Sequence, residues 1–357
     1  MPAPYWPQEV LLHDHLDASF PLLSILPQLH YLSGKEYPFS GDDQYKQVKS
    51  WFMSSRNIVE RFSVTTGVMQ NRATLSLTAE TYVKIRAEQG FRYCESTVAP
   101  QYHIPLEGLE NFEEFLKCDP KKAKERIGNV VSALISGIKR GEKKYPQIEV
   151  NLLFTIGREV SAETAVFLVE AAANCNRDYV VGIGLVCDEA AHPPEKHIAM
   201  FRRAQELGFK TTCHAGEWVC GSGQQANFHR DLPGLIKNTR TAVFELRVDR
   251  IGHAIGLPYD SELMKIVIDR QIGIEGCPGS NFASGLIPDM KCLGIRKMLN
   301  AGVLYSIHPD DDLFLPDLSE TFQLCDDECR FTEEEERKLM LNAWKTKFGK
   351  RKSHQFD

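Results

Sequence analysis

Strand-like apolar runs alternating with helical patterns recur along this 357-residue chain, and that alternation constrains the fold more than any other feature. The runs are Val10 to Leu12, Phe91 to Thr97, Glu149 to Thr155, Val180 to Leu185, Lys210 to Cys213, Arg250 to Gly252, Ile272 to Glu275 and Val303 to Ile307. Between them lie stretches such as Leu77 to Gln89, Glu163 to Ala173, Glu195 to Leu207, Ser261 to Gln271 and Leu293 to Ala301, where apolar residues fall three or four apart among good helix formers. Gln89-Gly90-Phe91, Leu207-Gly208-Phe209 and Ala301-Gly302-Val303 each put glycine where a left-handed C-cap is needed, with a strand directly behind it. Such alternation implies parallel pairing through right-handed crossovers. With eight strands, closure is the economical solution, so the expected architecture is α/β, a (β/α)8 TIM-type barrel. An open doubly wound sheet would bind its ligand through a G-x-G-x-x-G or G-x-x-x-x-G-K-[ST] turn, and neither motif follows any strand.

Residues 19–76 are too long for a simple βα loop, so extra helices inserted after the first strand are expected over the barrel mouth. A terminal helix is expected over about 332–348, with Thr332 as N-cap and Glu333 to Glu336 in its first turn, where acids suit the helix dipole. No linker or repeat interrupts the chain, which reads as one domain over 1–357.

Composition narrows the function classes. The 43% hydrophobic and 25% charged fractions are those of an ordinary globular chain. Lys and Arg number 42 against 48 Asp and Glu, and the net charge of −6 offers no footprint for nucleic acid or an anionic membrane. The N-terminus has neither a basic nor an apolar signal region, and no long uncharged apolar run suggests a membrane span. Ten scattered cysteines contain no Cys-x-x-Cys pair, and Cys325 and Cys329 have no nearby His or Cys, so reduced thiols in a cytoplasmic protein are expected.

The polar residues most unusual for their setting fall where strands end: His13, Asp14, His15 and Asp17 after the first, His214 and Glu217 after the fifth, His253 after the sixth, and His308, Asp310, Asp311 and Asp312 after the eighth. Strand C-terminal ends of an α/β barrel converge on one face, so these groups are expected to meet. His13 and His15 are two apart, so on an extended strand both side chains point the same way and can share a metal ion. His214 and Asp310 would complete a nitrogen-rich site suited to zinc, with room for a water. With Asp311 next to Asp310, two adjacent acids at a strand end could hold the metal and accept a proton from its water. Glu217, buried beside the metal, would have a raised pKa and serve as general acid. His253 could abstract the water proton or hold the hydroxide electrostatically. Together these parts spell metal-assisted hydrolysis of an electrophilic carbon.

His13-Asp-His-Leu-Asp17, His214-Ala-Gly-Glu217, Arg250-Ile-Gly-His253, Cys277-Pro-Gly-Ser-Asn281 and Ser306-Ile-His-Pro-Asp-Asp311 follow the order and spacing of the adenosine deaminase family, within the amidohydrolase superfamily, which the chain resembles from about residue 9 to 345. The resemblance implies one Zn2+ per chain on His13, His15, His214 and Asp310. It implies that Glu217 protonates purine N1, while His253 and Asp311 orient and activate the zinc-bound hydroxide that adds to C6, after which ammonia leaves. Asp17 matches the position that meets the sugar 5′-hydroxyl, and Cys187 the position whose backbone N–H meets purine N3. Val59 and Phe62 match an apolar flap over the substrate. A small neutral purine nucleoside, adenosine or 2′-deoxyadenosine, is the substrate so implied. A deaminase of adenine or of a modified adenine nucleoside is the nearest alternative, and a non-enzymatic nucleoside-binding barrel a more distant one.

Some positions depart from the family pattern: Ala18 and Cys187 stand where glycine is usual, Ala254 follows His253, and His308-Pro309 precedes the acid pair. None removes a catalytic group. Zinc deaminases acting on polynucleotides use H-x-E with P-C-x-x-C, whereas this chain has His214-x-x-Glu217 and no second cysteine after Cys277-Pro278. A two-metal site would want a bridging Lys or carboxylate near the end of the fourth strand; Asp188 and Glu189 stand there without a Lys, and the paired Asp310-Asp311 fits a one-metal site better.

Overall fold

The computed structural model describes residues 9–39, 44–54, 58–221 and 224–352. Its eight strands are β1 (Val10–Leu11), β2 (Tyr93–Val98), β3 (Glu149–Gly157), β4 (Val180–Val186), β5 (Lys210–Ala215), β6 (Arg250–His253), β7 (Gly273–Gly276) and β8 (Leu304–Ile307). Each pairs in parallel with the next in chain order. The sheet curls far enough to bring its two ends together: Asp14 bridges Asp310, the Asp310 N–H points to the His13 carbonyl at 3.4 Å, and the Leu12 N–H meets His308 Nδ1 at 3.3 Å. Sequential parallel strands with helices between them fit an α/β fold of TIM type.

The expected strands all form, with boundaries moved by a residue or two. β2 and β3 are buried at every position, as a parallel sheet covered on both faces requires. Gly90, Gly208 and Gly302 adopt φ of 94°, 72° and 95° at the handovers from helix to strand.

Helices Leu26–Ser33, Gln44–Ser54, Ile58–Thr66 and Arg72–Glu88 lie between β1 and β2. The last begins on Asn71, whose side chain accepts from the Thr74 N–H, and packs against the long helix Pro120–Lys144. They meet at Gly137, where a Cβ would stand 2.2 Å from the Ser76 carbonyl oxygen. The C-terminal helix runs over Glu333–Thr346, held by a reciprocal cap between Thr332 and Glu335, and stops short of residue 348. Residues Thr346 to Lys352 then cross beneath the sheet at the strands' N-terminal ends. Among the described residues no helix is long and apolar enough to cross a membrane, and all ten cysteines are free thiols.

Candidate active site

Strand-end geometry assembles the site. His13 lies just beyond β1, and its ring fits because Gly252 of β6 has no side chain: a Cβ there would come within 2.6 Å of His13 Cε1. His13 Nδ1 hydrogen bonds to Glu275 Oε2 at 2.8 Å, so with Nδ1 donating, Nε2 faces the site. That Nε2 stands 3.5 Å from Asp310 Oδ1, and His15 Nε2 stands 3.3 Å from the same oxygen. His15 Nε2 also approaches His214 Nε2 to 3.2 Å. Donor atoms of His13, His214, His253 and Asp310 lie within 4.8 Å of one another, as do those of His15, Asp310 and Asp311.

This donor set fits a divalent cation. Two imidazole nitrogens at 3.2 Å repel as facing lone pairs unless a proton or cation stands between them. The buried His13 Nε2 and Asp311 Oδ1 make no hydrogen bond among the described residues. Burial lowers His15, but Asp311 and Asp310 outweigh it and raise it to about 9. Burial also pushes Asp310 up, yet the close approach of His13 and His15 holds it well below the usual carboxylate range. His214 is pushed down by burial and by the neighbouring histidines, and so is kept as a neutral ligand would be. Ser280 donates to Asp310 Oδ2 at 2.7 Å and fixes the carboxylate's rotation.

The acid and base candidates stand beside this cluster. Glu217 Oε2 lies 3.5 Å from His253 Nε2. Burial raises the Glu217 carboxyl, Asp310 and Glu189 add to the rise, and His253 opposes it. Asp311 is raised well above its usual range by burial and by adjacent Asp310. His253 Nδ1 donates to Asn281 Oδ1 at 2.9 Å, which turns its buried Nε2 toward Glu217. His253 and Asp310 sit at φ of 65° and 67°, a left-handed backbone that aims strand-end side chains inward.

Substrate-side residues are distributed around the mouth. Asp17 is buried and pairs with His103 Nε2 at 3.2 Å. Cys187 follows β4 with φ of 78°, the backbone for which glycine is suited, and its Sγ is 3.4 Å from the Tyr102 hydroxyl. Phe62 stands edge-on to His15, ring centroids 6.2 Å apart. Val59 belongs to helix Ile58–Thr66, but its side chain lies outside the described residues.

Three strand-end groups do not join the cluster as expected: Asp14, which accepts from the Tyr82 and Ser96 hydroxyls and from Arg86, and His308 and Asp312. His308 is fully buried, takes the Leu12 N–H on Nδ1 and faces Ser306 Oγ at 2.9 Å with Nε2. Asp312 pairs with buried Arg86 at 2.8 Å. All three serve the seam between the sheet's first and last strands.

Other groups were not foreseen. Glu189 accepts the N–H groups of Gly216, Glu217 and Trp218 and the Asn238 amide, and so clamps the loop that carries Glu217. Arg158 donates to the His214 carbonyl. Burial alone would raise Glu275, but Arg250 and His13 pull it down to about 2, a fixed anion behind His13.

A TIM-type α/β fold carrying histidines and carboxylates at its strand C-termini has the donor set of a metal-dependent hydrolase. The chain belongs to the adenosine deaminase family, whose model, described as "Adenosine deaminase", matches residues 9–355. An adenosine deaminase from Clostridium botulinum is 25% identical over 344 residues, covering 96% of this chain and 93% of the relative. An adenine deaminase from Acinetobacter baylyi is 26% identical over 343 residues, covering 94% and 91%. Among solved structures, adenine deaminase from Arthrobacter aurescens superposes with TM-score 0.75 at 20% identity, covering 97% of this chain and 95% of that one. An amidohydrolase from Burkholderia ambifaria with bound Zn superposes with TM-score 0.74 at 22% identity, covering 96% and 86%. At these identities the superpositions speak for the fold.

Proposed function

We propose that this protein hydrolytically deaminates adenosine and 2′-deoxyadenosine at C6, giving inosine or 2′-deoxyinosine and ammonia. The observation that carries the reading is the pairing of Glu217 with His253 beside the histidine–aspartate cluster, a proton donor and a proton acceptor at one mouth. His13, His15, His214 and Asp310 would hold one zinc ion. When bound, zinc supplies Lewis acidity that brings the pKa of a water toward about 7.

Glu217, raised by burial, delivers its proton to purine N1 and so makes C6 electrophilic. His253, its tautomer set by Asn281, takes the proton of the attacking water and directs the oxygen to C6. Asp311 shares that water's second hydrogen. Asp17, oriented by His103, receives the sugar 5′-hydroxyl, and the Cys187 N–H meets N3. Phe62, Val59 and the inserted helices of residues 19–76 cover the substrate and exclude bulk water. Because positions 13 to 311 serve one cluster, residues 1–357 work as a single catalytic domain. The free thiols suit a cytoplasmic setting.

A second reading is deamination of adenine or a modified adenine nucleoside; the Acinetobacter relative, named an adenine deaminase, matches about as well as the Clostridium one and supports the adenine arm. The test is a panel of adenosine, 2′-deoxyadenosine, N6-methyladenosine and adenine on zinc-loaded protein, ranked by kcat/KM. Adenosine is expected to lead. Turnover of adenine or N6-methyladenosine without adenosine would establish the second reading, and an inert panel would refute both.

A further inference from the structure

A chain of buried contacts runs from His13 to the opposite end of the sheet. Glu275, on β7, hydrogen bonds to His13 with Oε2 and takes Thr212 Oγ1 at 3.0 Å and Arg250 Nε with Oε1. Arg250 begins β6, is 1% exposed, and reaches across to Glu95 of β2 at 2.6 Å. Buried charges persist only when paired, and here two carboxylates flank one guanidinium. The surplus negative charge faces the His13 imidazole, the position from which an outer carboxylate fixes the tautomer and basicity of a ligand.

The far end of the chain of contacts is the segment after the C-terminal helix. Arg250 Nη1 donates to the Thr346 carbonyl at 3.0 Å, and its guanidinium stacks 3.6 Å from the Phe348 ring centroid. The Phe348 N–H points to Glu95 Oε1, and the Gly349 N–H to the Tyr93 hydroxyl at 2.6 Å. Thr346, Lys347 and Phe348 also line an open groove of about 980 Å³ with Lys210, Arg247 and Arg270. The strap thus has solvent on one side and Arg250 on the other.

We infer that the strap Thr346–Gly349, acting through Arg250 and Glu275 as positioning residues, sets the affinity of the metal site at His13. This rests on the reading of the histidine–aspartate cluster as a zinc site. The described contacts of residues 346–349 lead toward the cluster through Arg250 and Glu275.

The test is the Zn2+ dissociation constant of the full-length chain, measured by competition with a chromogenic chelator, alongside Tm. Glu275→Gln is expected to weaken zinc ten- to a hundredfold, as loss of an outer carboxylate does. Phe348→Ala is expected to weaken it at least threefold, and to add nothing further in the Glu275→Gln background. Leu134→Ala, in the outer helix Pro120–Lys144, provides a comparison that lowers Tm without touching the relay. If Phe348→Ala does not fold, Tyr93→Phe removes the hydroxyl that holds Gly349 and serves instead. Wild-type zinc affinity in the strap variant, or full additivity with Glu275→Gln, overturns the inference while leaving the zinc site standing. A wild-type chain that takes up no zinc overturns both.

Discussion

Glu217 and Cys187 show how much one position can decide. Glu217→Gln keeps the shape and hydrogen-bonding reach of the proposed acid but carries no proton for N1. Turnover of adenosine should fall by about 10²- to 10⁴-fold, the usual worth of a placed acid, with inosine affinity by calorimetry within a few-fold of wild type. Retained turnover would remove Glu217 from the mechanism. Cys187 stands at φ of 78°, where a Cβ costs about 1–2 kcal/mol and a branched one more. Cys187→Gly should therefore leave stability level or slightly raised, and Cys187→Val should lower it by about 1–3 kcal/mol in urea melts. A valine variant as stable as the glycine one would mean that this turn relaxes out of the left-handed region.

At the scale of elements, helix Ile198–Glu206 starts from His197, which is fully buried and donates from Nε2 to the Arg158 carbonyl at 3.1 Å. Burial first, then Arg158 and Lys196, lower it from 6.5 to about 4, against the pull of that hydrogen bond. Between those values the unfolded chain holds a proton that the folded chain does not, so stability is complete above pH 6.5 and falls by about 1.4 kcal/mol per unit as pH drops through the window. His197→Gln should remove about 1–2 kcal/mol of the loss between pH 7 and 5, read from urea midpoints at both pH values. An unchanged slope would sink the assignment. The strands and their end-residues were legible in sequence because alternation and two-residue spacing are local signals, as His13 and His15 show. Glu275 and Arg250 were not, because a buried acid inside a strand announces nothing about a partner 262 positions away. Glu189 was hidden similarly: its three backbone donors belong to a loop that only folding brings near. His308 and Asp312 carried the same strand-end signal as the cluster members, and only packing separates their roles.

For the whole molecule, a cation that binds only the folded chain adds stability by mass action, about 4 kcal/mol at a thousandfold excess over its dissociation constant. Chelator-treated protein should melt several degrees lower and recover on adding Zn2+ but not Mg2+, as scanning calorimetry would show. Equal melting with and without chelator would contradict a resident metal. The seam has a consequence for how the molecule is made. Its first strand is two residues long, and the sheet's ends join through Asp14 and Asp310. Contacts of such long sequence separation close late in folding, because their loop entropy must be overcome first. While the chain is being synthesised, His13 and His15 leave the ribosome long before Asp310, the carboxylate they meet in the folded chain. A translation product that stops short of Asp310 would therefore lack both carboxylates of the histidine–aspartate cluster.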